Sequence, residues 1–272
     1  MSVMSYTFTL TGHSSVLSAD FFPSIELSTT NKYGLALSGF YTYNSIFNID
    51  ETNNSFAYAR NGSVTPPKLW IPPGAYEVDE ISKAMLASLK KDTKEDSDEI
   101  FSLKANNNTL KCEITSKFDI DFRGANSIGK ILGFGAKVLK SGEKHESSYI
   151  VDIMKVRIIR VDCNIISGAY LNSLESHTLF EFDIDVEPGY KITKEPQNCI
   201  YMPIMPDGRQ FIDNITLRIL DDHGHLIDFR GEKVIVKLEL KKISLIWDFA
   251  SIVNCICCQL SKIPLNNIKK GS

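Results

Sequence analysis

The chain has 272 residues, of which 43% are hydrophobic and 23% are charged, a composition typical of a folded globular protein. Lysine and arginine together number 30, and aspartate and glutamate 33, which gives a net charge of −3. Because phosphate contacts need a marked excess of basic residues, this balance excludes a strongly basic nucleic-acid binder.

The expected environment is intracellular. The sequence does not open with a basic segment followed by a short apolar run, so we predict no secretory signal. Its six cysteines follow no disulfide-framework spacing, and we expect them to be reduced thiols in the cytoplasm or nucleus.

In chain order, the first predicted elements are strands over residues 6–10 and 34–43, followed by one helix over residues 78–91. Four apolar residues fall on one stripe of this helix: Val78, Ile81, Met85 and Leu89. Acidic residues at its start and two lysines at its end suit the helix dipole.

Alternating apolar and polar residues dominate the rest of the chain and predict strands with one buried face. The clearest runs place the following apolar residues on one side: Phe118, Ile120 and Phe122; Phe180, Phe182, Ile184 and Val186; Val234, Val236, Leu238 and Leu240. Further strands are predicted over residues 101–105, 154–166, 200–204 and 214–220. Many short strands separated by turns are typical of a sandwich or barrel.

The polar segment 135–148 contains glycine and lacks periodicity, so we predict that it connects two β-rich halves. The predicted fold is therefore all-β, with two β-sandwich domains of jelly-roll type in tandem. The first covers residues 1–137 and includes the helix, and the second covers residues 149–242. Residues 243–272 form an apolar C-terminal tail.

The stretch 243–260 of this tail (ISLIWDFASIVNCICCQL) approaches the length of a transmembrane helix. Asp248, Asn254 and Gln259 argue against a span, because burying such groups in lipid is costly. Two interpretations stay open. The stretch packs on its own domain or a neighbouring subunit, or it touches a membrane, with acyl chains on the cysteines at 255, 257 and 258.

A possible phosphate-binding loop spans Gly124 to Lys130 and nearly matches the motif in which backbone amides surround phosphates. The next residue is Ile131, so the hydroxyl that would hold magnesium is missing. No long helix follows whose amino end would face the phosphates. A surface turn is therefore favoured over a nucleotide site, although an NTPase remains a minor hypothesis.

Two clusters carry side chains that could bind a metal: Asp221, Asp222, His223 and His225 at a hairpin tip, and the acidic row Glu181, Asp183, Asp185 and Glu187. Neither matches an established ligand spacing. The chain also lacks the Gly-x-Ser-x-Gly and His-Glu-x-x-His motifs of hydrolases. We therefore predict no catalytic residue, no metal, no cofactor and no enzymatic activity.

Several short phrases together carry a family resemblance: YNSIFNI (43–49), NNSF (53–56), IPPGAYE (71–77), KANNNTL (104–110), NSIGKILGF (126–134), VDCNIISGAY (161–170), PGYKI (188–192) and LIDFRGE (226–232). In this order they resemble jelly-roll capsid-like proteins of the Polinton/Maverick and adintovirus type. The resemblance extends from about Ile25 to Leu240 and rests on many short phrases rather than one diagnostic site.

The resemblance implies a viral or virus-derived structural capsid protein that self-assembles into a symmetric homo-oligomer or virus-like shell. It implies a place in the virion, assembly inside the cell, and partners that are other copies or other capsid subunits. Major capsid proteins of this lineage have two full jelly rolls, so a minor or vertex role and a host-retained copy both stay open. Residues 1–30 are then either an assembly arm or an ordinary first strand and loop.

The alternative function is a β-sandwich module that binds a ligand or carbohydrate through its loops, around Trp70, His223 and His225. Such a module would bind saturably as a small oligomer, whereas a capsid protein would form large closed assemblies.

Overall fold

The structure is a computed structural model that describes residues 5–28, 30–59, 66–204 and 211–243. The predicted tail beyond Ile243, the start of the predicted N-terminal arm and the cysteines at 255, 257 and 258 lie outside these residues. The strands are β1 (Ser5–Gly12), β2 (Val16–Glu26), β3 (Lys32–Tyr43), β4 (Ser55–Ala59), β5 (Lys68–Trp70), β6 (Phe101–Asn106), β7 (Lys111–Ser116), β8 (Asp119–Asp121), β9 (Val138–Leu139), β10 (Lys144–Glu146), β11 (Ile158–Cys163), β12 (Ala169–Leu171), β13 (Leu174–Ser176), β14 (Thr178–Asp183), β15 (Lys191–Lys194), β16 (Met202–Pro203), β17 (Phe211–Leu220) and β18 (Val234–Ile243).

Helix α1 (Val78–Thr93) confirms the predicted helix and extends two residues further. Its first turn is closed by a reciprocal capping box between Glu77 and Glu80, in which the Glu77 amide donates to the Glu80 carboxylate at 2.9 Å. The predicted apolar stripe is the buried face of the helix. None of the helices among the described residues has the length and apolar character needed to cross a bilayer.

Two antiparallel sheets face each other and take their strands from both halves of the chain. One has the order β1-β18-β3-β15, with β16 also paired to β3, and the other has the order β2-β17-β11-β14. The pairs are nested, because β1 pairs with β18, β2 with β17, β3 with β15 and β11 with β14. This nesting of eight strands in two sheets is the topology of one jelly roll.

The buried faces of these strands form the first core. In β18, Val234, Val236, Leu238 and Leu240 are all fully buried, which confirms the predicted alternation. Phe8 and Leu10 of β1 lie opposite Leu238 and Val236 and join the same core. The buried residues of the first core come from positions 8–40 and 156–240.

A second unit is inserted between β3 and β11. It contains a sheet of order β5-β4-β8-β9, a sheet of order β10-β7-β6, and α1, which packs on β6. Its separate core lies within residues 49–139 and includes Phe118, Ile120 and Phe122, whose burial confirms the second predicted alternation.

The all-β class is confirmed, but the predicted tandem division does not describe the two cores. Strands β1 to β3, which had been assigned to the first domain, pair with strands of the C-terminal half. Segment 135–148 is likewise no connector, because it contains β9 and β10, which pair with β8 and β7. Alternation predicts that a segment is a strand and which face it buries, but it does not identify the partner strand.

This arrangement predicts which pieces of the chain fold alone. A variant in which residues 50–152 are replaced by a short glycine–serine linker should keep the jelly roll, because Asp50 and Lys155 at the two ends of the insertion contact each other. A fragment of residues 149–242 should fail to fold, because β1 to β3 are missing from its sheets. Circular dichroism and urea unfolding check both. A cooperative transition in the 149–242 fragment would contradict the nested pairing.

Candidate functional site

The loop from Gly124 to Lys130 uses its backbone to hold the inserted unit together. The Ser55 amide donates to the Asn126 carbonyl, and the Ile128 amide donates to the Ser55 carbonyl, both at 2.9 Å. The Gly129 amide donates to the Ser127 hydroxyl at 3.2 Å. The amides of Ile128 and Gly129, which a phosphate would need, are therefore already bonded within the chain, and this argues against a nucleotide site here.

The same loop is packed more tightly than the predicted surface turn. Ile128 and Leu132 are fully buried in the core of the inserted unit. A Cβ atom added at Gly129 would lie 2.4 Å from the Phe122 ring and 2.9 Å from the Gly135 carbonyl oxygen. Glycine is therefore required at this position by close packing.

Residues 221–225 form the connection after β17, where Asp221 fixes the turn. One carboxylate oxygen of Asp221 accepts the amides of His223 at 2.9 Å and His225 at 2.8 Å. One possible ligand atom from each of Asp221, Asp222 and His223 lies within 4.8 Å of the others. The hydrogen bonds of Asp221 account for this cluster as turn chemistry.

The acidic row on and after β14 is largely paired with basic side chains. Glu181 accepts a hydrogen bond from Arg160 at 2.8 Å, and Lys194 lies 3.7 Å from Asp183 and 2.9 Å from Asp185. The hydrogen bond from Lys194 lowers the pKa of Asp185. The row therefore behaves as a solvated strand face with ion pairs.

The residues suggested for a ligand-binding module lie in different units. Trp70 is 57% exposed on β5 of the inserted unit, with the Lys68 ammonium 5.6 Å from its ring centroid. His223 and His225 lie in the jelly roll, with their rings stacked 6.2 Å apart. The three side chains are therefore carried by two different units of the fold.

A cleft of about 330 Å³ lies where the jelly roll meets the inserted unit. Apolar residues of both units line it, among them Ile46, Ile153 and Val186. At the same junction, Asp50 forms an ion pair with Lys155 and accepts the Thr52 amide at 2.8 Å. Burial alone would raise the pKa of Asp50, but the hydrogen bonds from Lys155 and Thr52 outweigh it, and the pKa lies below its ordinary 3.8.

One side of the jelly roll exposes two open strand edges, which we call the β1–β2 side. Within the described part of the chain, β1 pairs only with β18, and β2 pairs only with β17. The Phe8 and Phe21 rings, with centroids 5.4 Å apart, close the core between these two strands. Such open edges can accept a strand or side chain of another molecule.

Phe22 is the most exposed large apolar residue on the β1–β2 side, with a relative exposure of 102%. Its position results from an irregularity in the sheet. Ile25 pairs with Ile212, but Asp20 pairs with Asn214, so four residues of β2 lie opposite one residue of β17. The extra residues bulge out of the sheet and carry Phe22 into solvent.

The described cysteines are free thiols, as predicted. Cys112 and Cys163 are buried, and desolvation raises the pKa of Cys112 to about 11 and that of Cys163 to about 12. Cys199 is half-buried.

No protein-family model and no curated protein sequence matches the chain. Among solved structures, the fold is similar to the crystal structure of the selenomethionine-labelled mavirus penton protein, with a TM-score of 0.50 and 12% sequence identity. The similarity covers 89% of this chain and 100% of the penton chain. At this identity it shows a shared fold, which includes both the jelly roll and the inserted unit.

Sequence reasoning missed Phe22 and the junction at Asp50. A signal for the first was present, because Phe21 and Phe22 are adjacent in a strand and must point to opposite faces. The contact between Asp50 and Lys155 crosses more than a hundred positions of sequence and leaves no local pattern.

The junction makes stability dependent on pH. Asp50→Asn should destabilise the protein by about 1 kcal/mol at pH 7, because it removes a charged, mostly buried partner of Lys155. Since the folded pKa of Asp50 is lowered, its contribution is present above the ordinary pKa of 3.8 and lost as the pH falls through the folded value. Urea unfolding of both proteins from pH 7 to pH 2.5 measures this.

The matched control is Asp152→Asn, which breaks an exposed pair with Arg157 and should cost less than about 0.5 kcal/mol. An equal loss in both variants, or a loss at Asp50 that persists at pH 2.5, would contradict the assignment.

The packing of the Gly124–Lys130 loop leads to a second prediction about stability. Gly129→Ala should destabilise the protein by about 1–3 kcal/mol, because the new methyl group overlaps the Phe122 ring. Gly124→Ala is the control, since no atom lies within 4 Å of its added Cβ. Thermal unfolding compares the two, and equal melting temperatures would show that the loop is not packed as described.

Proposed function

We propose that this chain is a structural subunit of a virus-type capsid and that it assembles with copies of itself and with other capsid subunits. The observation that carries the proposal is the extent of the similarity to the mavirus penton protein, which covers the whole of that chain. The similarity covers 89% of this chain, so it is not limited to the two sheets that face each other.

A vertex role fits better than a major capsid role. The nested pairs form one jelly roll with one inserted unit, rather than two jelly rolls in tandem. The proposed protein is therefore a penton-type subunit related to the Polinton/Maverick and adintovirus group. Its proposed location is the virion, with assembly inside the cell.

The chemistry of the surface supports a structural role over catalysis. Two amides of the loop that resembles a phosphate site, those of Ile128 and Gly129, are bonded internally, and the acidic row is paired with Arg160 and Lys194. The β1–β2 side instead presents two open strand edges and the solvated ring of Phe22. Burial of such a ring between two subunits is worth about 1.5–3 kcal/mol.

Size-exclusion chromatography with light scattering and negative-stain electron microscopy of the full chain, across salt and pH, test the proposal. We expect closed rings or shells whose mass is a multiple of 30.5 kDa. A monomer under every condition would contradict self-assembly. Saturable binding of a sugar by a small oligomer would favour the alternative module.

The substitution Phe22→Ser tests whether neighbouring subunits contact each other at the β1–β2 side. The change should raise the protein concentration at which half the chains assemble by roughly tenfold, equivalent to about 1.4 kcal/mol, without lowering the melting temperature. The fold is unaffected because the ring makes no buried contact in the single chain.

Tyr149→Ser is the matched control, because Tyr149 is 71% exposed and lies between β10 and β11, away from the open edges. Light scattering over a concentration series measures all three proteins. Equal effects of the two substitutions would exclude a specific contact at the β1–β2 side.

A further inference from the structure

The described chain ends at one end of the jelly roll, opposite the inserted unit. Ile243 of β18 pairs with Lys32 at the start of β3, and its side chain lies against Gly34, where an added Cβ would approach it to 2.6 Å. Tyr201 lies on the other flank of Gly34, with its Cβ 2.9 Å from the same point. Ile243, the last described residue, therefore lies beside Tyr201.

The same end carries a short hairpin made of β12 and β13. The two residues at its turn, Asn172 and Ser173, have φ values of 49° and 69°, as a tight two-residue hairpin turn requires. Tyr170 is 71% exposed and Leu174 is 73% exposed on this hairpin. Leu171 lies directly opposite Leu174 in the hairpin, so these exposed apolar side chains adjoin one another, as at interaction surfaces.

Further exposed apolar residues lie on neighbouring elements at the same end of the jelly roll. The Ser167 amide donates to the Pro203 carbonyl at 3.0 Å, which ties the segment before the hairpin to β16. Ile200 precedes β16 and is 62% exposed, and Phe211 starts β17 and is 48% exposed beside a recess of about 100 Å³. We call these residues the end patch: Tyr170, Leu171, Leu174, Ile200 and Phe211.

The end patch also lies close to the point where β18 ends. The Ile204 amide, directly after β16, donates to the Tyr33 carbonyl at 3.2 Å, and Tyr33 pairs with Lys242. Only strand β3 therefore lies between β16 and the last described residues of β18.

The sequence after Ile243 is the most apolar stretch of the chain, and between Ser244 and Leu260 Asp248 is its single charged residue. We infer that residues 244–260 cover the end patch of their own chain. An apolar segment and an exposed apolar surface meet at the same end of the fold, and their contact removes both from water.

A position within the same chain is favoured over a position on a second copy. The segment starts at the patch, and tethering gives it an effective concentration of roughly millimolar. A second copy would have to reach that concentration in free solution. A membrane is less favourable, because Asp248, Asn254 and Gln259 would lose their water in lipid, whereas a segment docked on a protein surface keeps one side solvated.

The cysteines of the chain provide the test. Cys199 is half-buried and directly precedes Ile200 of the patch, and the segment carries Cys255, Cys257 and Cys258. A short bis-maleimide added to the native full-length chain should join Cys199 to this segment within one chain. Trypsin then releases a linked pair of peptides, residues 195–209 and 243–262, which mass spectrometry detects.

Two substitutions distinguish a segment that is docked on the end patch from one that is only tethered near it. Leu174→Glu places a charge in the end patch and should reduce the yield of the link by roughly tenfold. Leu110→Glu places the same charge at a leucine of the inserted unit that is 58% exposed, and the yield should stay unchanged. Cys199→Ser should abolish the link.

Each other result contradicts the inference. A link between two chains, seen as a dimer on a denaturing gel, would place the segment on a second copy. Loss of the link on adding phosphatidylcholine vesicles, with flotation of the protein, would place it in lipid. Absence of the link, or equal yields in Leu174→Glu and Leu110→Glu, would mean that the patch is uncovered. The denaturing gel separates a link within one chain from a link between chains, so the result does not depend on the proposed assembly.

Discussion

Strand β3 is the point at which the two ends of the chain become one domain. It pairs along one edge with β18 and along the other with β15 and β16, all of which follow residue 190. Leu35, Leu37 and Phe40 of β3 are buried in the core between this sheet and the opposite one. Without this pairing the sheet of β1, β18, β3 and β15 does not form, and the core loses one of its two walls.

The insertion makes this pairing both necessary and demanding. More than a hundred residues separate β3 from β11 in sequence, so the chain must close a long loop before the nested pairs can form. The inserted unit has its own core, and the ion pair between Asp50 and Lys155 brings its two ends together. A unit that folds independently can thus shorten the effective loop that the jelly roll must close.

Local physics could be predicted from the sequence, and long-range pairing could not. The alternation of Val234, Val236, Leu238 and Leu240 and the stripe of Val78, Ile81, Met85 and Leu89 both predicted burial that the structure has. The partner of β1 was beyond such reasoning, because Phe8 alternates equally well whichever strand lies opposite. The tandem division failed for this reason, and segment 135–148 looked like a linker because its two strands are short and lie at sheet edges.

The candidate sites show the same difference between local patterns, which the sequence predicts, and long-range packing, which it does not. The Gly124–Lys130 loop looked like a phosphate site because glycine spacing is visible in sequence, whereas the contact of Gly129 with Phe122 depends on packing. Phe22 becomes conspicuous only once β2 is known to be an edge strand with an irregular register. For a protein proposed to act through its surface, the strand order therefore determines which residues matter.

Native-state hydrogen exchange of the full chain tests the shared jelly roll most directly. Amides of β3 and β18 should exchange together, at the free energy of global unfolding, because each protects the other. Amides of β6 and β7 should form a separate group with the inserted unit. Exchange of β3 together with β6 and β7, while β18 exchanges independently, would contradict the account and restore two domains in tandem.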